Sequence, residues 1–142
     1  MGNDQESGYS KNHKVPPYEI VEMKNTDDGF YELMGPLLSK REIVAELGSP
    51  VWDDDLKRWW IAHIDKAVIG VVALMKNTIC SLYVVPQQRG KLAGTTLLVR
   101  LILEANGSGL KATATDASRG LFEGCGFKKI GMSGKYHKMV RP

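Results

Sequence analysis

Paired cysteines, clustered histidines and long apolar runs are all scarce in this chain. Its 142 residues include two cysteines, Cys80 and Cys125, and three scattered histidines, so neither a disulfide framework nor a zinc-ligand spacing is present. No apolar run reaches the ~20 residues of a membrane helix, and no secretory signal opens the sequence. These absences predict one reduced, cytoplasmic protein with no metal and no membrane partner.

Acidic residues are few in the second part of the chain. Residues 1–57 carry twelve acidic and six basic side chains, whereas residues 58–142 carry four acidic and thirteen basic ones. A basic segment suits a polyanionic ligand, such as a phosphorylated cofactor or nucleic acid, but a solvated basic surface has the same composition. The charge distribution leaves both interpretations open.

The order of polar and apolar segments predicts one α/β domain after a polar tail. Residues 1–17 form the tail, which we expect to be flexible, and residues 18–142 form the domain. The predicted strands are 18–24, 58–64, 67–75, 78–85, 110–115, 127–132 and 136–140, and the predicted helices are 30–38, 41–47, 95–105 and 117–125. Three antiparallel strands in series precede residue 86.

The segment from Tyr83 to Leu98, YVVPQQRGKLAGTTLL, passes from a strand to a helix through a short basic loop. The first N–H groups of a helix lack intrahelical partners and, with the positive end of the helix dipole, form an anion site. Arg89 and Lys91 add charge, while Gly90 and Gly94 allow the backbone to approach a ligand closely. The composition predicts a pyrophosphate site, although the spacing is not that of a P-loop.

Two segments resemble motifs of the Gcn5-related N-acetyltransferase (GNAT) superfamily. VVPQQRGKLAGTTLL at 84–98 is similar to the family's acyl-CoA-binding loop and helix, and LFEGCGF at 121–127 is similar to its Leu/Phe-Tyr-x-x-x-Gly-Phe segment. The resemblance covers roughly residues 18–141. It implies the family's fold, an α/β domain with a mixed, mostly antiparallel sheet and helices on both faces. It also implies an N-acetyltransferase, an enzyme that uses acetyl-CoA and in which an amine attacks the thioester directly in a ternary complex.

Carried over position by position, the resemblance assigns an acyl-CoA site to the end of a strand and the start of a helix. Val84 and Val85 would pair with the pantetheine arm where this strand splays from the next one, at 110–115, and an N–H near Val84 would polarise the thioester carbonyl. The pyrophosphate would be bound by the backbone of Arg89, Gly90, Lys91, Leu92, Ala93 and Gly94, with a hydroxyl from Thr95 or Thr96. Leu92 replaces a glycine of the family, and we expect it to have ordinary helical dihedrals and a side chain that points away.

The proton-transfer groups stay open, because Phe122 stands where the family has a tyrosine that protonates the departing thiolate. The candidates to replace this tyrosine are Ser118, Cys125 and Tyr136, of which Tyr136 is the first choice. The candidates for the general base are Asp116, Tyr83 and His63. Competing structural roles are a helix cap for Asp116 and sheet or surface packing for His63. Core packing is the favoured role of the tryptophans, over the wall of an acceptor pocket.

Three functions fit the resemblance: two are acyl transfers that differ in the acceptor, and the third is acyl-CoA binding without catalysis. Acidic residues at Glu32, Glu42, Glu46 and Asp53–Asp55 could attract a cationic amine, whether a small molecule or a protein, or could form a solvated face. The basic residues Lys128, Lys129, Lys135, Lys138 and Arg141 suit nucleic acid or aminoacyl-tRNA instead. Leu92 and Phe122 together would fit a non-catalytic acyl-CoA-binding module. A homodimer is a further expectation, since dimers are common in the family.

Overall fold

The structure, a computed structural model of the protein, describes residues 18–43, 57–89, 92–105 and 109–142. The predicted tail, most of the predicted helix at 41–47, the acidic segment Asp53–Asp55, and the loop residues Gly90 and Lys91 lie outside these ranges. Residues 41–43 are helical. Among the helices of the described ranges, none is long and apolar enough to cross a bilayer.

Besides residues 41–43, the described residues form seven strands and three helices, in the predicted order. The strands are β1 (Glu19–Met23), β2 (Lys57–Ile64), β3 (Ala67–Met75), β4 (Thr78–Val84), β5 (Leu110–Ala114), β6 (Lys128–Ser133) and β7 (Tyr136–Arg141). The helices are α1 (Phe30–Leu38), α2 (Ala93–Glu104) and α3 (Asp116–Gly124), and a single 3₁₀ turn spans Pro86–Gln88. The sequence predicted each of these strands and helices to within two residues at either end.

All seven strands belong to one sheet, in the order β1-β2-β3-β4-β5-β7-β6. Every neighbouring pair is antiparallel except β4 and β5, which run parallel. A parallel pair needs a crossover connection, and α2 provides it. The predicted α/β fold with a mixed, mostly antiparallel sheet is therefore confirmed.

Apolar side chains alternate between the two faces of the sheet and bury against different helices. Trp59 and Ile61 pack against α1, whereas Trp60 and Ala62 face the layer formed by α2 and α3. Trp59 and Trp60 are both completely buried, which confirms core packing as their role. Trp60 also donates from its indole N–H to Glu104 at 2.7 Å, so its one polar atom is satisfied.

The cap of α3 differs from the sequence prediction. Thr115, not Asp116, is the N-cap residue, and it forms a reciprocal capping box with Ser118. The Thr115 hydroxyl accepts from the Ser118 N–H at 3.1 Å, and the Ser118 hydroxyl accepts from the Thr115 N–H at 3.0 Å. Asp116 takes the first helical position, where its carboxylate is free to interact elsewhere. Either residue type can cap a helix, so composition alone did not distinguish them.

Candidate functional site

The most unusual feature of the sheet is a gap between β4 and β5. These strands pair only at Thr78 with Lys111 and at Ile79 with Ala112, near the beginning of both strands. Beyond Ile79 the strands separate, so five of the seven residues of β4 have no partner in β5. The predicted separation of these two strands is confirmed.

Val84 directs its peptide groups into this gap. The N–H of Val85 donates to the carbonyl of Ile69 at 2.9 Å, which makes that pair hydrogen-bonded. Hydrogen-bonded and non-hydrogen-bonded pairs alternate along an antiparallel ladder, so the next pair, Gly70 with Val84, is of the second kind. The N–H and C=O of Val84 therefore point away from β3 and toward the side on which β5 lies.

The side chain of Arg89 turns back onto the strand that precedes it. Its Nε donates to the Val84 carbonyl at 2.7 Å, and its guanidinium lies 5.4 Å from the centre of the Tyr83 ring. The carbonyl of Val84 thus already has a partner within the protein, whereas the N–H of Val84 faces the gap. In this arrangement Arg89 supports the shape of the loop.

The start of α2 lies beside the gap and offers unpaired N–H groups. The first intrahelical bond runs from the Thr96 N–H to the Leu92 carbonyl at 2.9 Å, and no side chain caps the helix. The N–H groups of Ala93, Gly94 and Thr95 precede that bond, so they have no partner in their own helix. Three convergent donors at the positive end of a helix dipole can bind an anion.

The prediction of helical dihedrals at Leu92 is wrong. Leu92 is the N-cap residue, with φ 66° and ψ 9°, in the left-handed region that favours glycine. Its side chain is 71% exposed, so it does point away from the helix, as expected. A leucine in this conformation costs on the order of 1–2 kcal/mol relative to its ordinary backbone geometry. The turn before α2 therefore imposes the same backbone conformation that a glycine would adopt.

Two other predicted residues of this loop are used for packing and local bonding. A Cβ added to Gly94 would lie 2.9 Å from a methyl of Leu121 and 3.5 Å from one of Val84. The close approach that Gly94 permits is therefore between α2, α3 and β4. The Thr96 hydroxyl donates to the Leu92 carbonyl at 2.8 Å, which leaves Thr95, half-buried, as the other predicted hydroxyl.

A buried histidine that sequence reasoning missed contacts Asp116. His137 is 6% exposed, and its Nε2 lies 2.5 Å from the Asp116 carboxylate. The hydrogen bond to His137, followed by its charge, holds the pKa of Asp116 below its usual value. The Nδ1 of His137 is buried without a hydrogen-bond partner. The alternation of residues along β7 could have predicted this burial, because His137 lies on the same face of the strand as the core residue Met139.

This arrangement weakens the case for Asp116 as a general base. A base that accepts a proton near neutral pH needs a pKa close to that range, and the pKa of Asp116 is shifted in the opposite direction. Ser118 is committed to the capping box of α3. Burial, the largest influence, raises the pKa of the Cys125 thiol, which disfavours its thiolate.

Tyr136 and His63 remain near the ends of strands. Tyr136 is 39% exposed at the turn between β6 and β7, with the Lys135 ammonium 5.6 Å from its ring centre. His63 lies on β2 opposite Glu19 of β1, and its Nδ1 is buried without a partner. Phe122 is 2% exposed and packs edge-on against Phe127, with ring centres 5.2 Å apart. The predicted roles of these side chains stay predictions.

A parallel strand pair that separates beside an uncapped helix start is typical of the acyl-CoA N-acyltransferase fold. Comparisons with solved structures show the same fold. The chain is similar to Escherichia coli ElaA, with a TM-score of 0.69 and 16% identity over 88% of this chain and 99% of that one. For an acyl-CoA N-acyltransferase from Pseudomonas aeruginosa, the TM-score is 0.67 and the identity 16%, over 87% of this chain and 99% of that one. For the PaiA N-acetyltransferase from Thermoplasma acidophilum, solved with coenzyme A, the TM-score is 0.60 and the identity 15%, over 88% of this chain and 99% of that one.

At these identities the structural likeness shows the fold. A family model described as an acetyltransferase (GNAT) domain matches residues 40–139, which is well over half of the chain. The protein therefore belongs to the GNAT acetyltransferase family, whose members bind acyl-CoA. No curated protein sequence matches the chain at a significant level.

Proposed function

We propose that this protein transfers an acyl group, with acetyl as the first candidate, from acyl-CoA to the nitrogen of an amine acceptor. The observation that carries the proposal is the gap between β4 and β5, into which the Val84 peptide groups point. An extended pantetheine arm can occupy the place of the missing strand partner, as an added strand does at any exposed sheet edge.

The start of α2 supplies the second part of the proposed site. The N–H groups of Ala93, Gly94 and Thr95 have no partner in their helix and would bind the pyrophosphate. Lys91 and Gly90, which lie outside the described residues, are expected to add charge and a close backbone approach, as the sequence predicts. The left-handed backbone of Leu92 supports the proposal, because it turns the chain at the position where the family has glycine.

The Val84 N–H is the proposed electrophilic group. As the amine attacks the thioester carbon, negative charge grows on the carbonyl oxygen, and a fixed N–H donor stabilises that charge. The C–N bond forms, the C–S bond breaks, and the thiolate leaves with the electron pair while the amine loses a proton. A thiolate is a fair leaving group, and Tyr136 is the predicted donor of its proton.

Thermal unfolding with and without CoA or acetyl-CoA tests the site. A ligand at ~100 times its Kd adds ~2.7 kcal/mol of stability, which corresponds to several degrees in a domain of this size. Lys91→Glu should reduce the shift, whereas Lys76→Glu, a matched charge reversal at the turn between β3 and β4, should leave it unchanged. No shift with either ligand at millimolar concentration would remove the proposal.

Activity is then measured as thiol release from acetyl-CoA in the presence of polyamines, aminoglycosides or lysine peptides. Tyr136→Phe should lower the rate of release while the ligand-induced thermal shift stays the same. A fully active Tyr136→Phe variant would show that this hydroxyl does not protonate the thiolate. A thermal shift without transfer to any amine would identify a binding module instead of an enzyme.

A further inference from the structure

Strands β5, β7 and β6 contain no acidic residue. Their seventeen positions include Lys111, Lys128, Lys129, Lys138 and Arg141, and not one aspartate or glutamate. Five of the thirteen basic residues of 58–142 therefore lie on this half of the sheet.

Strand alternation places three of these lysines on the face away from α3. Ala112 and Met139 belong to the core on the side of α2 and α3, so Lys111 and Lys138, their chain neighbours, point to the opposite face. Lys128 pairs with Val140, which lies on that same opposite face. Lys129 pairs with Met139 and faces α3, where its charge acts on Asp116.

Within the described ranges, no apolar core covers this lysine face. The cluster packed under α1 draws on β2, β3 and β4 and takes no residue from 109–142. Among the described residues, a cleft of about 240 Å³ on this side of the sheet has a lining that includes Thr78, Thr113, Lys111, Lys138, Ile130 and Val140. Two hydroxyls and two ammonium groups thus surround a small apolar strip.

Three of the four acidic residues of the second part of the chain lie on the other layer, and the fourth, Asp65, lies at the turn between β2 and β3. Asp116 and Glu123 belong to α3, where they contact His137 and Arg119 respectively. Glu104 is on α2 and binds the Trp60 indole. These three carboxylates are therefore separated from the three lysines by the thickness of the sheet.

We propose that this lysine face binds single-stranded nucleic acid through its phosphate backbone, a role beyond the proposed acyl transfer. Lys111 and Lys138 are diagonal neighbours on adjacent strands, roughly 7–8 Å apart, so each can meet a different phosphate. Lysine and threonine side chains both donate to phosphate oxygens. Tyr136, exposed at the turn beside Lys135, offers a ring on which a base can stack.

The test is the affinity of a labelled oligouridylate of about twelve nucleotides, measured by fluorescence anisotropy at about 50 and 200 mM salt. Excess CoA is present throughout, so that the anion site at the start of α2 is not available to the oligonucleotide. Three phosphate contacts predict that log K falls against log salt with a slope of about −2. Lys138→Glu should weaken binding about tenfold and reduce that slope by about one.

Lys129→Glu is the matched control, because it makes the same charge change on the same pair of strands but on the opposite face. It should leave affinity within about twofold of the unchanged protein. Equal loss in both variants would show that net charge, not this face, attracts the oligonucleotide. Absence of binding at low salt would overturn the proposal, as would binding only to vesicles of phosphatidylcholine and phosphatidylserine. The thermal shift with CoA is read separately, so acyl-CoA binding and nucleic-acid binding fail independently.

Discussion

The two halves of the sheet, on either side of the gap between β4 and β5, are covered differently. Strands β2, β3 and β4 carry apolar side chains on both faces, under α1 on one side and α2 on the other. Among the described residues, β5 and β7 contribute to the core only on the side of α3, and β6 contributes no core residue. One half is therefore a packed platform, and the other presents a charged surface.

This difference explains why the gap can act as a site. Val84 belongs to the packed half, where it pairs with Gly70 and its methyl group would contact a Cβ at either Gly70 or Gly94. Its backbone is thereby fixed by contacts on β3 and α2, while its peptide groups face the gap. A donor held in place before the ligand arrives needs little reorganisation during the reaction.

The largest expected contrast is between substitutions of large apolar residues in the two halves. Trp60→Ala removes a fully buried ring from the packed half and should lower the free energy of unfolding by about 3–5 kcal/mol. Ile130→Ala, at a position that is 62% exposed on β6, should change it by less than about 0.5 kcal/mol. Urea unfolding measures both values. Comparable losses would mean that the surface of β6 is buried in the protein as it exists in solution.

The next contrast lies within β4 and is read by amide hydrogen exchange. The Val85 N–H is bonded to β3, and alternation places the Tyr83 N–H on the same side, whereas the N–H groups of Leu82 and Val84 face the gap. We expect Leu82 and Val84 to exchange at least about tenfold faster than Tyr83. Saturating CoA should slow Val84 selectively. Uniform protection along β4 without ligand would contradict the gap.

Most of the fold followed from the sequence because its signals are local. Alternation, apolar runs at both parities, and glycine or asparagine at turns gave every described strand and helix. The parallel pairing of β4 with β5, and the gap beyond Ile79, required a resemblance to a known family, because pairing across a sheet depends on residues far apart in the chain. The uncovered lysine face also needed the fold, since strand order decides which face lies under a helix.

The site was less predictable, for reasons visible in single residues. Alternation along β7 places His137 on the same face as Met139, but only the position of α3 brings it to Asp116. The cap of α3 fell on Thr115 because the hydroxyl of Ser118 completes a reciprocal pair with it. Leu92 was misjudged because its dihedrals are set by the loop and by the packing of α2, which override the preference of leucine.

Substitutions at Leu92 probe that strain with a smaller effect. Leu92→Gly should keep the fold and raise the free energy of unfolding by up to about 1 kcal/mol, because glycine adopts φ 66° without steric cost. Leu92→Ile should lower it, because a β-branched residue tolerates positive φ poorly. Thermal unfolding of both variants, each with and without CoA, separates stability from binding. If isoleucine is tolerated as well as glycine, the left-handed conformation at this position is wrong.

The smallest expected effect is the titration of Asp116, whose exposed side chain meets solvent as well as His137. Its pKa lies below the ordinary value of 3.8, chiefly through the hydrogen bond to His137 and then through the charges of His137, Arg119 and Lys129. A depressed folded-state pKa stabilises the protein above the unfolded value and loses that contribution as the pH falls through the folded one. In an NMR titration, His137→Ala should therefore raise the pKa of Asp116 more than Lys129→Gln does. Equal effects of the two substitutions would show that distant charge, and not the buried imidazole, holds this carboxylate ionised.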